Sequence, residues 1–207
     1  MSRIYSHADQ LIPPHLIGLT QVTHREFERF CREYPDLRLE LTSSGELIVM
    51  SPTGFGTGKR TLDLTTQFGN WVKKDGTGIG FGTDTGYILP NGAIRAPDAS
   101  WNTRAKCERF SAYERERFAH VCPDFVVELR SPSDRLPTLL NKMEEYIENG
   151  ATLGWMIDPQ KRQSRRRSRG AGQSNYRFRR TFAAWLRTSN GGDLVGLIGP
   201  ATCLTAC

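Results

Sequence analysis

The sequence predicts a mixed α/β (α+β) domain, and three observations carry that prediction. The first is Pro123-Asp124-Phe125-Val126-Val127-Glu128-Leu129-Arg130-Ser131-Pro132. Its apolar, β-branched-rich run ends in turn formers, which is the pattern of a short buried strand. The second lies just downstream. Leu139, Leu140, Met143, Tyr146 and Ile147 recur at helical spacing, Gly150 closes the helix, and 151–159 is again a buried-type strand. Strand, helix, strand in that order is a right-handed crossover between parallel strands. The third is a pair of hairpin patterns upstream, preceded by a capped helix.

Composition sets the outer bounds. The chain has 207 residues, 38% hydrophobic and 24% charged, which suits one globular domain with a tail. The net charge of +6 favours a polyanionic partner. Cys31, Cys107, Cys122, Cys203 and Cys207 are dispersed, with no CxxC pair and no zinc spacing. Such a set fits reduced thiols in a cytoplasmic protein. The N-terminus shows no apolar signal segment, and no run approaches membrane-spanning length.

Taken in order, residues 1–22 contain Pro13-Pro14 and read as an irregular lead-in. Thr23 with Glu26 forms a capping box, Phe27, Phe30, Cys31 and Tyr34 keep helical spacing, and Pro35 stops the helix. Residues 37–41 and 46–50 read as strands joined by the turn 42–45. The stretch 51–58 reads as a Gly-rich loop. It lacks the Gly-Lys-Ser/Thr ending of a phosphate cradle, because Arg60 follows Gly58-Lys59, so a plain loop is the better reading. A helix is expected over about 59–74, with Leu62, Thr65, Phe68, Trp71 and Val72 on one side. Asn91-Gly92 between strand-like arms marks a second hairpin. On its second arm, period two puts Ile94, Ala96 and Asp98 on one face. The charges of 102–120 read as a wet surface.

Glu128 is the residue that needs explaining. A carboxylate within a buried strand is costly unless it is paired or binds a cation. Asp98 is a second acid on a core-facing position, and Lys142 lies at the edge of the following helix's apolar stripe. Two carboxylates on neighbouring strands suit Mg²⁺, which takes oxygen ligands and retains waters. A nearby lysine can hold or deprotonate a water and offset charge on a phosphate. Asp124 is rejected as the partner acid, because four strand residues span roughly 13 Å. Arg130 shares the parity of Glu128 and suits a phosphate clamp, since arginine does not act as a base. On spacing alone, a structural ion cluster remains the alternative.

The motifs at 45–54, Arg95-Ala96-Pro97-Asp98-Ala99-Ser100, 123–133, Asn141-Lys142-Met143-Glu144-Glu145-Tyr146 and Gly154-Trp155-Met156-Ile157-Asp158-Pro159 together resemble the Uma-two family. Its members look like restriction endonucleases of the PD-(D/E)XK fold. The resemblance spans about residues 20–160. It implies a restriction-endonuclease-like core, a mixed central β-sheet flanked by helices, and cleavage of DNA with Mg²⁺ or Mn²⁺. Asp98 and Glu128 would hold the metal, and Glu46 would be an auxiliary ligand. Lys142 would replace a lysine moved from strand to helix. The expected partner is DNA, a homodimer is left open, and no membrane is involved. The alternative is a DNA-binding relative that has lost catalysis.

The expected divisions are therefore 1–22, a nuclease domain over 23–160, and a tail over 161–207. Lys161 to Arg180 is rich in Arg and has no acid. It reads as a basic arm or as the product of a reading-frame disruption near 160–164, and no strand is expected there.

Overall fold

The computed structural model describes residues 12–168. After a single 3-10 turn at Pro14–Leu16, α1 spans His24–Glu33. Thr23 and Glu26 close the capping box in both directions, and Phe27 and Phe30 turn inward. From residue 12 on, the lead-in is less irregular than its prolines imply. Leu16 is fully buried beside α1, and Leu19 and Val22 hydrogen-bond to Leu47 and Gly45.

Strands β1 (Arg38–Leu41) and β2 (Leu47–Met50) form the first hairpin. Helix α2 covers Phe55–Asp75 and ends on Gly76, whose φ of 68° provides the left-handed C-terminal cap. The Gly-rich loop is thus shorter than expected: Phe55 to Gly58 already belong to the helix. The buried face is also rotated from the expected one. Leu64, Phe68 and Trp71 are buried, whereas Leu62 is exposed. Strand β3 (Gly78–Phe81) follows, then the short hairpin arms β4 (Tyr87–Ile88) and β5 (Ile94–Arg95) around the Asn-Gly turn.

The second arm does not continue straight through Asp98. The chain leaves β5 at Arg95, and β6 (Ala99–Thr103) belongs to another sheet. Short helices α3 (Arg104–Cys107) and α4 (Ala112–Arg115) precede β7 (Phe125–Leu129). Helix α5 (Leu136–Glu148) then crosses to β8 (Leu153–Asp158), which lies parallel to β7.

One sheet has the order β2-β1-β5-β4. The other runs β3-β6-β7-β8 and ends on β9 (Gln163–Ser168). β9 corrects the expectation that no strand follows Pro159. Its side chains carry no apolar alternation, but it pairs antiparallel with β8 from Leu153↔Ser168 to Asp158↔Gln163. An unpaired edge on a buried strand leaves its backbone groups unsatisfied, and backbone pairing places no demand on side-chain polarity. The rest of the expected tail lies outside the described residues.

The crossover sheet is buried on both faces. Phe125, Val127 and Leu129, with Leu153, Trp155 and Ile157, pack against α2. Val126 and Met156 pack against Leu139, Met143 and Tyr146 of α5. Period two therefore turns Glu128 toward α5. Gly154 lets that helix sit close, since a Cβ there would come 2.6 Å from Met143 Cε. Gly78 is more constrained still: a Cβ would overlap the Trp101 ring and the Asn102 carbonyl. Gly78→Ala is expected to cost about 1–3 kcal/mol or more through overpacking. A chemical-denaturation midpoint unchanged from wild type would contradict this packing.

Candidate active site

Asp98 is the last residue before β6. Ala99 pairs with Val127, so one step further along the antiparallel register Asp98 faces Glu128. The Asp98 carboxylate is held by the Leu129 amide, which donates to Oδ2 at 2.8 Å. Its Oδ1 accepts no hydrogen bond from the described residues; Arg38 Nη2 stands 4.0 Å away. Arg38 itself is anchored by the Thr83 carbonyl at 3.0 Å and by Asp84.

Glu128 is almost fully buried. Its Oε1 receives the Lys142 ammonium at 2.8 Å and the Tyr146 hydroxyl at 3.2 Å. Its Oε2 accepts no hydrogen bond from the described residues. Lys142 reaches inward from the edge of the α5 stripe, as its helical position predicts. It donates at 2.8 Å to a further carboxylate, Glu40 Oε1.

Glu40 is the acid that sequence reasoning missed. It lies on β1, only 2% exposed. The Ala96 amide donates to Oε1 at 3.0 Å and Arg95 Nη1 to Oε2 at 3.2 Å. Arg95 is shared with Glu145, to which Nε donates at 2.6 Å, and Asn91 Nδ2 donates to the other oxygen of Glu145. The sheet of β1 and β5 and the sheet of β7 are thus joined at this point through α5. The alternation 37–41 contained the signal, but a strand with one wet face would place Arg38 and Glu40 in solvent.

The other expected residues lie elsewhere. Glu46 is exposed at the turn between β1 and β2, where its amide is held by Thr42 Oγ1. The hairpin acid that the structure brings to Lys142 and Glu128 is Glu40. Arg130 spends its donors on Asp158 Oδ2 at 2.8 Å and on the Asp134 carbonyl, which ties down the turn after β7. Asp124 sits at the opposite end of β7, bound by Lys106 and the Thr103 amide.

The electrostatics follow from crowding acids around one ammonium. Burial pushes the Glu128 carboxyl up to about 7, with Asp98 and Glu40 adding to the rise and Lys142 opposing it. Burial likewise raises Asp98, although the Leu129 hydrogen bond opposes it. For Glu40, burial alone would raise the carboxyl, but Lys142 and Arg95 reverse this and hold it below the ordinary range. Burial alone would also discharge Lys142. The Glu128 and Glu40 carboxylates outweigh that and lift it above its usual value, so it stays charged.

This donor set fits a hard divalent cation. Asp98 Oδ1 and Glu128 Oε2 are carboxylate oxygens from facing positions that accept no hydrogen bond from the described residues, Arg38 standing 4.0 Å from the first, in a cluster with more negative than positive groups. Among the described residues no set of three or more His, Cys, Asp or Glu side chains is grouped to hold a metal. A cation here would draw on the two acids and complete its shell with water, as Mg²⁺ does.

The mixed sheet with its strand–helix–strand crossover has a restriction-endonuclease-like fold. The sequence model of the Uma2 family, described as "Putative restriction endonuclease", matches residues 24–192. The chain belongs to that family. The match runs past Pro159 and takes in β9. The crystal structure of "a putative nuclease belonging to DUF820 from Anabaena variabilis" shares the fold with a TM-score of 0.57. That likeness covers 71% of this chain and 84% of that one, at 17% identity. No curated protein matches the sequence. No helix among the described residues is long and apolar enough to cross a membrane.

Proposed function

We propose that the protein is an endonuclease that hydrolyses DNA phosphodiester bonds with Mg²⁺ or Mn²⁺. The observation that supports this best is a pair of oxygens that accept no hydrogen bond from the described residues, Asp98 Oδ1 and Glu128 Oε2, beside an ammonium that stays charged. The bound cation would supply Lewis-acid activation of a water and neutralise phosphate charge. Asp98 is oriented for that task by the Leu129 amide, and Glu128 by the Tyr146 hydroxyl.

Lys142 serves as a permanent positive charge rather than as a base. An ammonium has three donors. Two are spent on Glu40 and Glu128, which leaves one for a water or a phosphate oxygen. Family membership and the positive net charge support DNA as the substrate. Arg130 takes a supporting role, since its guanidinium holds the turn after β7, and Glu46 stands outside the set.

The test is incubation of purified protein with supercoiled plasmid, with and without each cation. Nicked or linear product is expected only when the cation is present. Asp98→Asn is expected to lower the rate roughly 10²–10³-fold, the usual effect of losing one preorganised group. DNA binding without cleavage in the wild type would favour the non-catalytic alternative. Full cleavage by Asp98→Asn would remove Asp98 from the site.

A further inference from the structure

We propose that Glu40 is a positioning residue: it is the seat to which Lys142 withdraws when a divalent cation occupies Asp98 and Glu128. This rests on the reading of those two acids as cation ligands. The Lys142 ammonium stands 2.8 Å from Glu40 Oε1 and 2.8 Å from Glu128 Oε1, so it is shared between the two acids. A cation at Glu128 competes with the ammonium for the same carboxylate, and like charges at close range in a buried site repel strongly. Without an alternative partner, Lys142 would be left charged and unpaired in the interior, and that cost would fall on cation binding.

Glu40 is built to take it. Its carboxylate is held independently of the lysine, because the Ala96 amide also donates to Oε1 and Arg95 donates to Oε2. Arg95 is held in turn by Glu145. Glu40 is held below the ordinary carboxylate range, so it presents a charged partner. It comes from β1, in a different sheet from Glu128, so its backbone is not part of the β7 strand that carries the proposed ligand. The seat needs no rearrangement of backbone.

The experiment is Mn²⁺ titration by calorimetry, with folding checked by circular dichroism. Glu40→Gln is expected to weaken Mn²⁺ binding at least about tenfold, since truncating one partner of a buried charge pair has large effects. Glu40→Asp keeps the charge but draws it back by one methylene, and is expected to weaken binding as well. Glu40→Gln with Lys142→Met removes both the seat and the ion that needs it, and is expected to return affinity toward wild type. Wild-type affinity in Glu40→Gln overturns the inference. So does weakening in Glu40→Gln that is absent from Glu40→Asp, because that would be a field effect alone. Failure of the double variant to recover also overturns it. Arg95 keeps Glu145 in every variant; should Glu40→Gln not fold, Glu40→Asp and the double variant decide. Absence of Mn²⁺ binding in the wild type overturns both this inference and the cation reading. Binding unaffected by the Glu40 variants overturns this one only.

Discussion

Glu128→Gln is expected to lose cleavage by roughly 10³-fold or more while the fold survives, because it removes a charged ligand at the reacting centre and preserves shape. The same substitution has a signature in stability. Glu128 titrates at about 7 in the folded chain, against an ordinary value of 4.5. Between those values the folded state binds the proton more tightly than the unfolded state. Wild-type stability from this group is therefore fully present below pH 4.5 and is lost as pH rises through about 7. The loss is on the order of 3 kcal/mol. Glutamine does not titrate, so the variant lacks this slope. Thermal melts of both proteins across pH 5–8 measure the difference. Parallel curves would show that Glu128 is not held in the environment described, and undiminished cleavage would remove it from the active site.

Much of the candidate site was legible because it lies on short, strongly patterned segments. The run 125–129 is a strand on any reading, and a carboxylate within it has to be accounted for. Lys142 was legible from its angle on α5, at the edge of an apolar stripe whose inner members are Leu139, Met143 and Tyr146. Asp98 was named on a parity argument that the structure does not keep: the arm ends at Arg95, and Asp98 comes to Glu128 through the register of β6 with β7. Glu40 and Arg95 were not legible, because both depend on which elements meet. Alternation in 37–41 says that Leu39 and Leu41 face one way and Glu40 the other. Only the pairing of β1 with β5, and α5 across the far side, makes that other side an interior. The same limit explains Glu46: its neighbourhood in sequence matched, but the turn leaves it in solvent. β9 was missed for a different reason. Its pairing answers a demand of the β8 backbone, and side-chain periodicity carries no trace of it.

Lys142→Met carries the second large effect, on turnover and on stability together. Methionine is nearly as good a helix former as lysine, so α5 should persist. What is lost is the charge between Glu40 and Glu128. Breaking a buried ion pair by removing one partner costs about 3–5 kcal/mol. Part of that is recovered wherever Glu128 can take up a proton instead. Removing the ammonium moves the Glu128 carboxyl above its wild-type value of about 7, because Lys142 is the group opposing its rise. The deficit relative to wild type should therefore be smaller near pH 6 and grow as pH rises past 7, since the variant goes on losing stability where the wild type has stopped. Cleavage at pH 8 should fall roughly 10²–10³-fold, as for the loss of one electrostatic stabiliser. Arg130→Met is the comparison. It frees Asp158 and the turn after β7, which costs stability, but it leaves Lys142, Glu128 and Asp98 in place, so cleavage should persist. Normal cleavage by Lys142→Met together with loss in Arg130→Met would transfer the basic role to Arg130. A deficit independent of pH would mean that Glu128 does not take up a proton when the ammonium is gone.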